Sequence, residues 1–245
     1  MIVTHNELVT AVYKAFLGLR RCCGEADIIA NMVADLQMVG LNGVGHFNKA
    51  LPYLAGEKDG PITLTKPASD RIDVDMHGSS LVCHLPNILD YAVEQLAHSK
   101  SLTIHVRHCH NRWLAYSELV KLAAKGLACK AQWVNGSDAK QTLYILNKGC
   151  VFPELFQSED VNADKGSQHD MVIELSVSDF AVPSSGATGF ALLDSSSLRE
   201  TYRHAWQEGI EVDDVEWQRL KQAARVFLVE NSETSAKGAG ELVET

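Results

Sequence analysis

"LTIHVRHCHNRWLAYSELVKLAAKGLACKAQWV", residues 102–134, decides the fold. Its first nine residues are rich in β-branched and aliphatic side chains and predict a strand over 102–110. "WLAYSELVKLAAKGL" (113–127) carries apolar residues at helical spacing and stops at Gly126, a fitting helix end. "ACKAQWV" (128–134) returns to strand character. Working upstream, "LPNILDYAVEQLAHSKS" (85–101) is an amphipathic helix. "DRIDVDMHG" (70–78) alternates as a strand, with Ile72 and Val74 on one face. The order β-α-β-α-β predicts an α/β, or α+β, fold.

The first 60 residues read as helical. Leu8, Val12, Phe16 and Leu19 form one stripe, with Gly24 placed to close that helix. Ile28, Ile29, Met32, Val33 and Leu36 form a second stripe ending at Gly40. Residues 42–60 predict a turn, a short helix and a polar loop. Beyond 140, "QTLYIL" and "DMVIELSVSDF" predict strands around the polar loop "VNADKGSQHD". Helical signals follow in "SSSLRETYRHAWQEGI" and "DDVEWQRLKQAARVFL", with a strand expected at "ARVFLVE" and a Gly/Ser-rich tail. The expected organisation is a helical section (1–60) packed on a central mixed sheet (61–180), then C-terminal helices, strand and tail (181–245), as one composite domain.

The net charge of −9 argues against a nucleic-acid partner, because an acidic surface repels phosphate backbones. No apolar run reaches the roughly 20 residues that span a bilayer, so no membrane partner is expected. The N-terminus does not read as a signal peptide. The six cysteines include no C-x-x-C pair, which suits reduced thiols and a cytoplasmic location.

His105, His108, Cys109 and His110 crowd the end of the central strand. Alternation on a strand puts His108 and His110 on one face and Arg107 and Cys109 on the other, so three histidines cannot share a face. A zinc site would need a further ligand such as His77 or His84. No H-E-x-x-H or paired C-x-x-C accompanies them, so no metal site is expected. The carboxyl end of a strand in an open α/β sheet is a ligand-binding place, which makes His110, Asn111 and Arg112 site candidates without a metal. Two Gly/Ser-rich segments invite an anion. In the tail, Ser232, Ser235 and Lys237 offer donors, and Gly238 and Gly240 permit close backbone approach. Ser184, Ser185, Gly186 and Thr188 make the other segment. A frayed terminus and a surface turn are the plainer readings, since neither segment spells G-x-G-x-x-G or a P-loop.

"VRHCHNRWLAYSELVKLAAKGL" (106–127) resembles a signature of the type-2 malate/L-lactate/sulfolactate/ureidoglycolate dehydrogenase family, V-R-N-S-N-H-F-G followed by a tyrosine-containing helix and A-A-x-x-G-L. Val106, Arg107, Ala123, Gly126 and Leu127 fall in register. "ADLQMVGLNGVGHFNKALPYLAGEKDGPIT" (34–63) is similar to that family's D-S-H-G region, and the likeness covers residues 8–135. The family's catalytic histidine position holds Val44, with His46 two residues on. Its second histidine falls on Asn111, beside His110. Its G-T-N-P stretch, part of the nicotinamide site, is absent after 135. "GLNGV" and "ARVFLVENSETSAKGAG" also resemble an uncharacterised bacterial family of similar length, itself like a shortened, divergent relative of these dehydrogenases.

The resemblance implies an oxidoreductase-like enzyme acting on a small carboxylate or imino acid, with NAD or NADP as cofactor and a homodimeric assembly. His46 or His110 would be the general acid, its pKa near neutrality. Arg107 or Arg112 would clasp the substrate carboxylate. Asn111 and Tyr116 would line the pocket. The alternative is a non-catalytic relative that binds a small ligand or a partner protein. The histidine-rich strand end favours the first, and the missing histidine and cofactor motif favour the second.

Overall fold

The computed structural model describes residues 1–21, 23–56, 61–97, 99–135, 140–159, 168–183 and 191–226. Helix α1 (His5–Gly18) starts where Thr4 and Glu7 cap each other: the Glu7 amide donates to Thr4 Oγ1 and the Thr4 amide donates to the Glu7 carboxylate. It buries Leu8, Val12, Ala15 and Phe16. Helix α2 (Cys23–Met38) begins before Gly24, so that glycine opens the second helix instead of closing the first. The helix stops where Gly40 takes φ +79, and the Leu41 amide then reaches back to the Leu36 carbonyl.

Helix α3 (Gly43–Gly56) starts at Asn42, whose Oδ1 accepts from the Gly45 amide. Gly43 lies so close to α2 that a Cβ there would strike the Val33 carbonyl and the Gln37 amide nitrogen. Gln37 locks the same junction. Its Oε1 accepts from the Val44 amide at 2.9 Å and its Nε2 donates to the Glu211 carbonyl at 2.8 Å. The orientation of α3 is therefore fixed by backbone contact and a buried amide.

A small antiparallel sheet pairs β1 (Ile2–Val3) with β10 (Ile210–Glu211), bringing the N-terminus to the segment before the last described helix. Among the described residues the main sheet has eight strands: β2 (Thr63–Ala68), β3 (Arg71–Asp75), β4 (Ser101–Arg107), β5 (Ala128–Val134), β6 (Lys140–Leu146), β7 (Glu154–Glu159), β8 (Met171–Ser176) and β9 (Ala191–Leu193). Their order is β2-β3-β4-β8-β5-β6-β7-β9, and only β3 with β4 is parallel. Helix α4 (Leu81–Leu96) crosses from β3 to β4, and α5 (Tyr116–Ala124) connects β4 to β5. Helix α6 (Ser195–Glu208) follows β9, and α7 (Asp214–Arg225) packs on α1.

The mixed sheet and the helical section agree with the sequence reading, but four local expectations change. The central strand ends at Arg107, because His108 turns the chain at φ +53. Its neighbours in the sheet are β3 and β8, not the strand that follows it in sequence. Strands β1, β2, β7, β9 and β10 were not anticipated; β2 is exposed along nearly its whole length and shows no alternation. The strand expected at 224–230 is displaced at its start, since α7 runs through Arg225. The rest of it lies outside the described residues, as do Ser184, Ser185, Gly186, Thr188, Ser232, Ser235, Lys237, Gly238 and Gly240.

Candidate active site

The loop after β4 is built to hold an unusual backbone. His108 and Asn111 both have left-handed φ, at +53 and +63. Such a conformation costs a β-carbon-bearing residue on the order of 1 kcal/mol, so it persists only where neighbours enforce it. They do so here. The His108 amide donates to Asp170 Oδ1, and its ring nitrogen Nδ1 lies 2.9 Å from Asp75 Oδ1. Ser80 Oγ donates to Asn111 Oδ1 at 2.7 Å. The His110 amide donates to the Ser79 carbonyl, the Leu81 amide to the His110 carbonyl, and the Cys109 amide to the His169 carbonyl. The start of α4 on one side and the entry to β8 on the other thus hold the loop.

Arg112 then ties two strand ends together. It is 8% exposed, and its outer nitrogens donate to the carbonyls of Cys109 at 2.7 Å and Val134 at 2.9 Å. Its buried Nε has no hydrogen-bond partner among the described residues. A buried guanidinium is tolerated because these bonds replace lost water. Asn135 fixes the next layer. Its Oδ1 accepts from both Trp113 Nε1 (3.1 Å) and Trp133 Nε1 (3.0 Å), whose rings meet edge-on at 5.2 Å.

The facing wall is α3. His46, Lys49 and Tyr53 are three and four residues apart and share one helical face. The His46 ring stacks on Trp113 at 5.6 Å, and Tyr53 stacks on His110 at 4.0 Å. His169 leans on the other side of His110 at 4.8 Å. These side chains, with Asn111 and Gln157, enclose a cleft of about 550 Å³. It opens where β4 and β5 end, the carboxyl side of the parallel strands.

The electrostatics of the cleft are one-sided. Its basic groups are His46, Lys49, His110, Arg112 and His169, and no carboxylate lines it among the described residues. Burial, then the Lys49 charge, pulls His46 down to about 4, so its ring is neutral at neutral pH. Burial, then His169 and Arg112, also lowers His110. The expectation that His46 carries a proton near neutrality is thereby corrected. It is a neutral imidazole able to donate or accept one hydrogen bond. The neighbouring thiol of Cys109 is pushed up by burial to about 11, which makes it inert.

Of the residues singled out in the sequence, His46, His110, Asn111 and Arg112 converge on the cleft, and two do not. Arg107 ends β4 on the exposed face, where the Arg71 hydrogen bond, and last among the causes the Arg107 charge, hold the Asp73 carboxyl below its usual range. Tyr116 turns inward, is 5% exposed, and lines a separate cavity with Asp35 and Tyr202. Lys49, Tyr53, Trp113, Trp133, Asn135, Gln157 and His169 were missed. The spacing of His46, Lys49 and Tyr53 on one helix was the available signal for the α3 wall. Among the described residues no group of three or more His, Cys, Asp or Glu side chains is placed to hold a metal. No described helix is long and apolar enough to cross a membrane.

A family model described as a protein of unknown function (DUF3726) matches residues 3–87. No curated protein sequence matches the chain. Solved structures do. Malate dehydrogenase from Pyrococcus horikoshii superposes with a TM-score of 0.70 at 10% identity, covering 95% of this chain and 97% of that one. The fold is malate/lactate-dehydrogenase-like. A dehydrogenase from Sinorhizobium meliloti gives a TM-score of 0.69 at 11% identity, over 91% of this chain and 99% of that one. A delta1-piperideine-2-carboxylate reductase from Pseudomonas syringae gives 0.63 at 11% identity, over 91% and 99%. The scaffold is shared with oxidoreductases, and at such identity the likeness speaks for the fold alone.

Proposed function

We propose that this chain is a divergent oxidoreductase-like enzyme whose cleft takes a small organic carboxylate bearing a carbonyl or imine. The observation that carries the reading is the charge of the cleft. Five basic side chains and no carboxylate line it among the described residues, in a chain whose net charge is −9. Low-dielectric walls concentrate such a field and draw a small anion inward. Lys49, at the cleft's exposed edge, has no ion-pair partner among the described residues and is available to the carboxylate. Arg112 acts differently from the expected clasp. Its outer nitrogens are engaged with Cys109 and Val134, so it contributes positive charge and a rigid floor.

A nicotinamide cofactor, where bound, would supply hydride to the carbonyl or imine carbon. The donor set fits it: Trp113 and Trp133 offer flat aromatic walls for a planar ring, and Lys49 offers charge for a phosphate. This chain's own residues supply the proton. His46 is buried and stays neutral, so it orients the reacting oxygen or nitrogen by a hydrogen bond. His110 is the donor, because it stands nearer solvent and His169 can restore its proton.

A second reading is a ligand-binding protein without turnover. Val44, which stands where the resembled dehydrogenases carry their catalytic histidine, is 0% exposed and packs in the core. One experiment separates the two. NADH and NADPH are titrated while energy transfer from the cleft tryptophans is followed, and then 2-oxo acids and cyclic imino acids are added. Saturable transfer with cofactor consumption, lost in His110→Gln, supports the enzyme. Tryptophan quenching by the acids with no transfer at millimolar cofactor removes the redox reading and keeps the binding one. No response to either removes both.

A further inference from the structure

Tyr116, expected at the cleft, belongs to a second cavity of about 220 Å³ between α2, α5, α6 and the turn before β7. Its walls are Asp35, Val39, Tyr116, Val120, Phe152 and Tyr202, together with Val151. We propose that this cavity is a binding site for a small organic ammonium ion, held by the Asp35 carboxylate and a cage of aromatic rings.

Three observations point there. The first is an unanswered polar group. Tyr116 is 5% exposed, yet its hydroxyl has no hydrogen-bond partner among the described residues. The charge of Asp35 and the ring of Tyr202, both on the cavity wall, act on that hydroxyl and, after burial, raise its pKa. Buried hydroxyls are nearly always paired, so an orphan beside a void marks a place where a partner is missing. The second is the carboxylate. Ser117 Oγ donates to Asp35 Oδ2 at 2.5 Å, which fixes the group, and its other oxygen has no hydrogen-bond partner among the described residues. A half-buried carboxylate with one free oxygen recognises a cation that donates a hydrogen bond. The third is the ring set. Tyr116, Phe152 and Tyr202 present three aromatic rings to one small volume, with Phe152 and Tyr202 edge-on at 5.5 Å. Ring faces attract an ammonium group; Arg199 already lies over Phe152 at 5.6 Å, so that attraction falls to Tyr116 and Tyr202. An apolar cavity of about 150 Å³ is known to admit benzene, so this volume suits a one-ring or short-chain amine.

The wild-type protein is titrated with benzylamine, benzyl alcohol and benzoate by calorimetry, with far-UV circular dichroism as the folding control. Benzylamine should bind about tenfold more tightly than benzyl alcohol, the value of one charge-assisted hydrogen bond, and benzoate should not bind. Asp35→Asn keeps the acceptor for Ser117 and should bring the amine and the alcohol to similar affinity. Val120→Phe, which fills the void, should abolish binding while the fold is kept. Equal affinity of the amine and the alcohol in wild type overturns the ammonium assignment. So does the absence of benzylamine binding to folded wild type. Unchanged amine binding in folded Val120→Phe moves the ligand elsewhere and overturns the site.

Discussion

The depressed pKa of His46 makes a pH-dependent contribution to stability. The ring falls from 6.5 to about 4 on folding, chiefly because burial disfavours the charged form. Between those values the unfolded chain binds a proton that the folded chain refuses. Stability is therefore unaffected above the unfolded value, falls as pH drops below it, and stops falling once pH passes the folded value. Linkage puts the loss at roughly 2 kcal/mol near pH 5 and roughly 3 kcal/mol at the acid limit. Other groups change over the same range. His110 is lowered too, and Asp73 and Asp75 are half-buried carboxylates held below their usual range by hydrogen bonds from Arg71 and from His108. A difference measurement removes them. Urea unfolding of wild type and His46→Gln is followed by tryptophan fluorescence at several pH values between 7.5 and 4.5. Loss of the stacking on Trp113 gives the variant a constant penalty. Its pH profile should be flatter than that of wild type by about 2 kcal/mol at pH 5. Parallel profiles would refute the reasoning, as would a native His46 resonance titrating near 6.5.

Two further perturbations test the scaffold around the cleft. Gly43→Ala should cost about 3 kcal/mol or more, because its Cβ would meet the backbone of α2 at Val33 and Gln37, and neither helix can yield. Gly56→Ala in the same helix has open space and should be neutral or slightly stabilising, which thermal denaturation of the pair checks. Asn135→Ala leaves two partly buried indole N–H groups without their shared acceptor. It should lose about 2 kcal/mol and lower Tm by roughly 4–8 °C, with a shifted tryptophan emission; an unchanged emission maximum would mean the indoles do not depend on it.

The site was half legible, and the division has a physical cause. His110, Asn111 and Arg112 could be placed because a strand followed by a helix leaves its connecting loop at a sheet's carboxyl end. His46 came with the resemblance to a dehydrogenase loop. The direction of each side chain was another matter. Alternation holds only while the strand continues, and left-handed turns at His108 and Asn111 end it. Arg107, the last residue of β4, faces outward by that alternation, whereas Tyr116, beyond the turns, faces the interior, although both sit within a few residues of the cleft. Nothing local marks those turns. They are held by Asp170 and Ser80, which are distant in sequence.

Amphipathic periodicity determined α1, α2, α4 and α5, and the run of β-branched residues determined β4, because these patterns are set within a dozen residues. Composition set the charge class for the same reason: it needs no geometry. Tertiary structure alone decided that β8 lies between β4 and β5. That insertion carries the His169 backbone to the Cys109 amide and sets Trp133 and Asn135 across from α3. Strand pairing depends on which edges meet when the core closes, a choice made by burial over the whole sheet and not by any segment of the sequence.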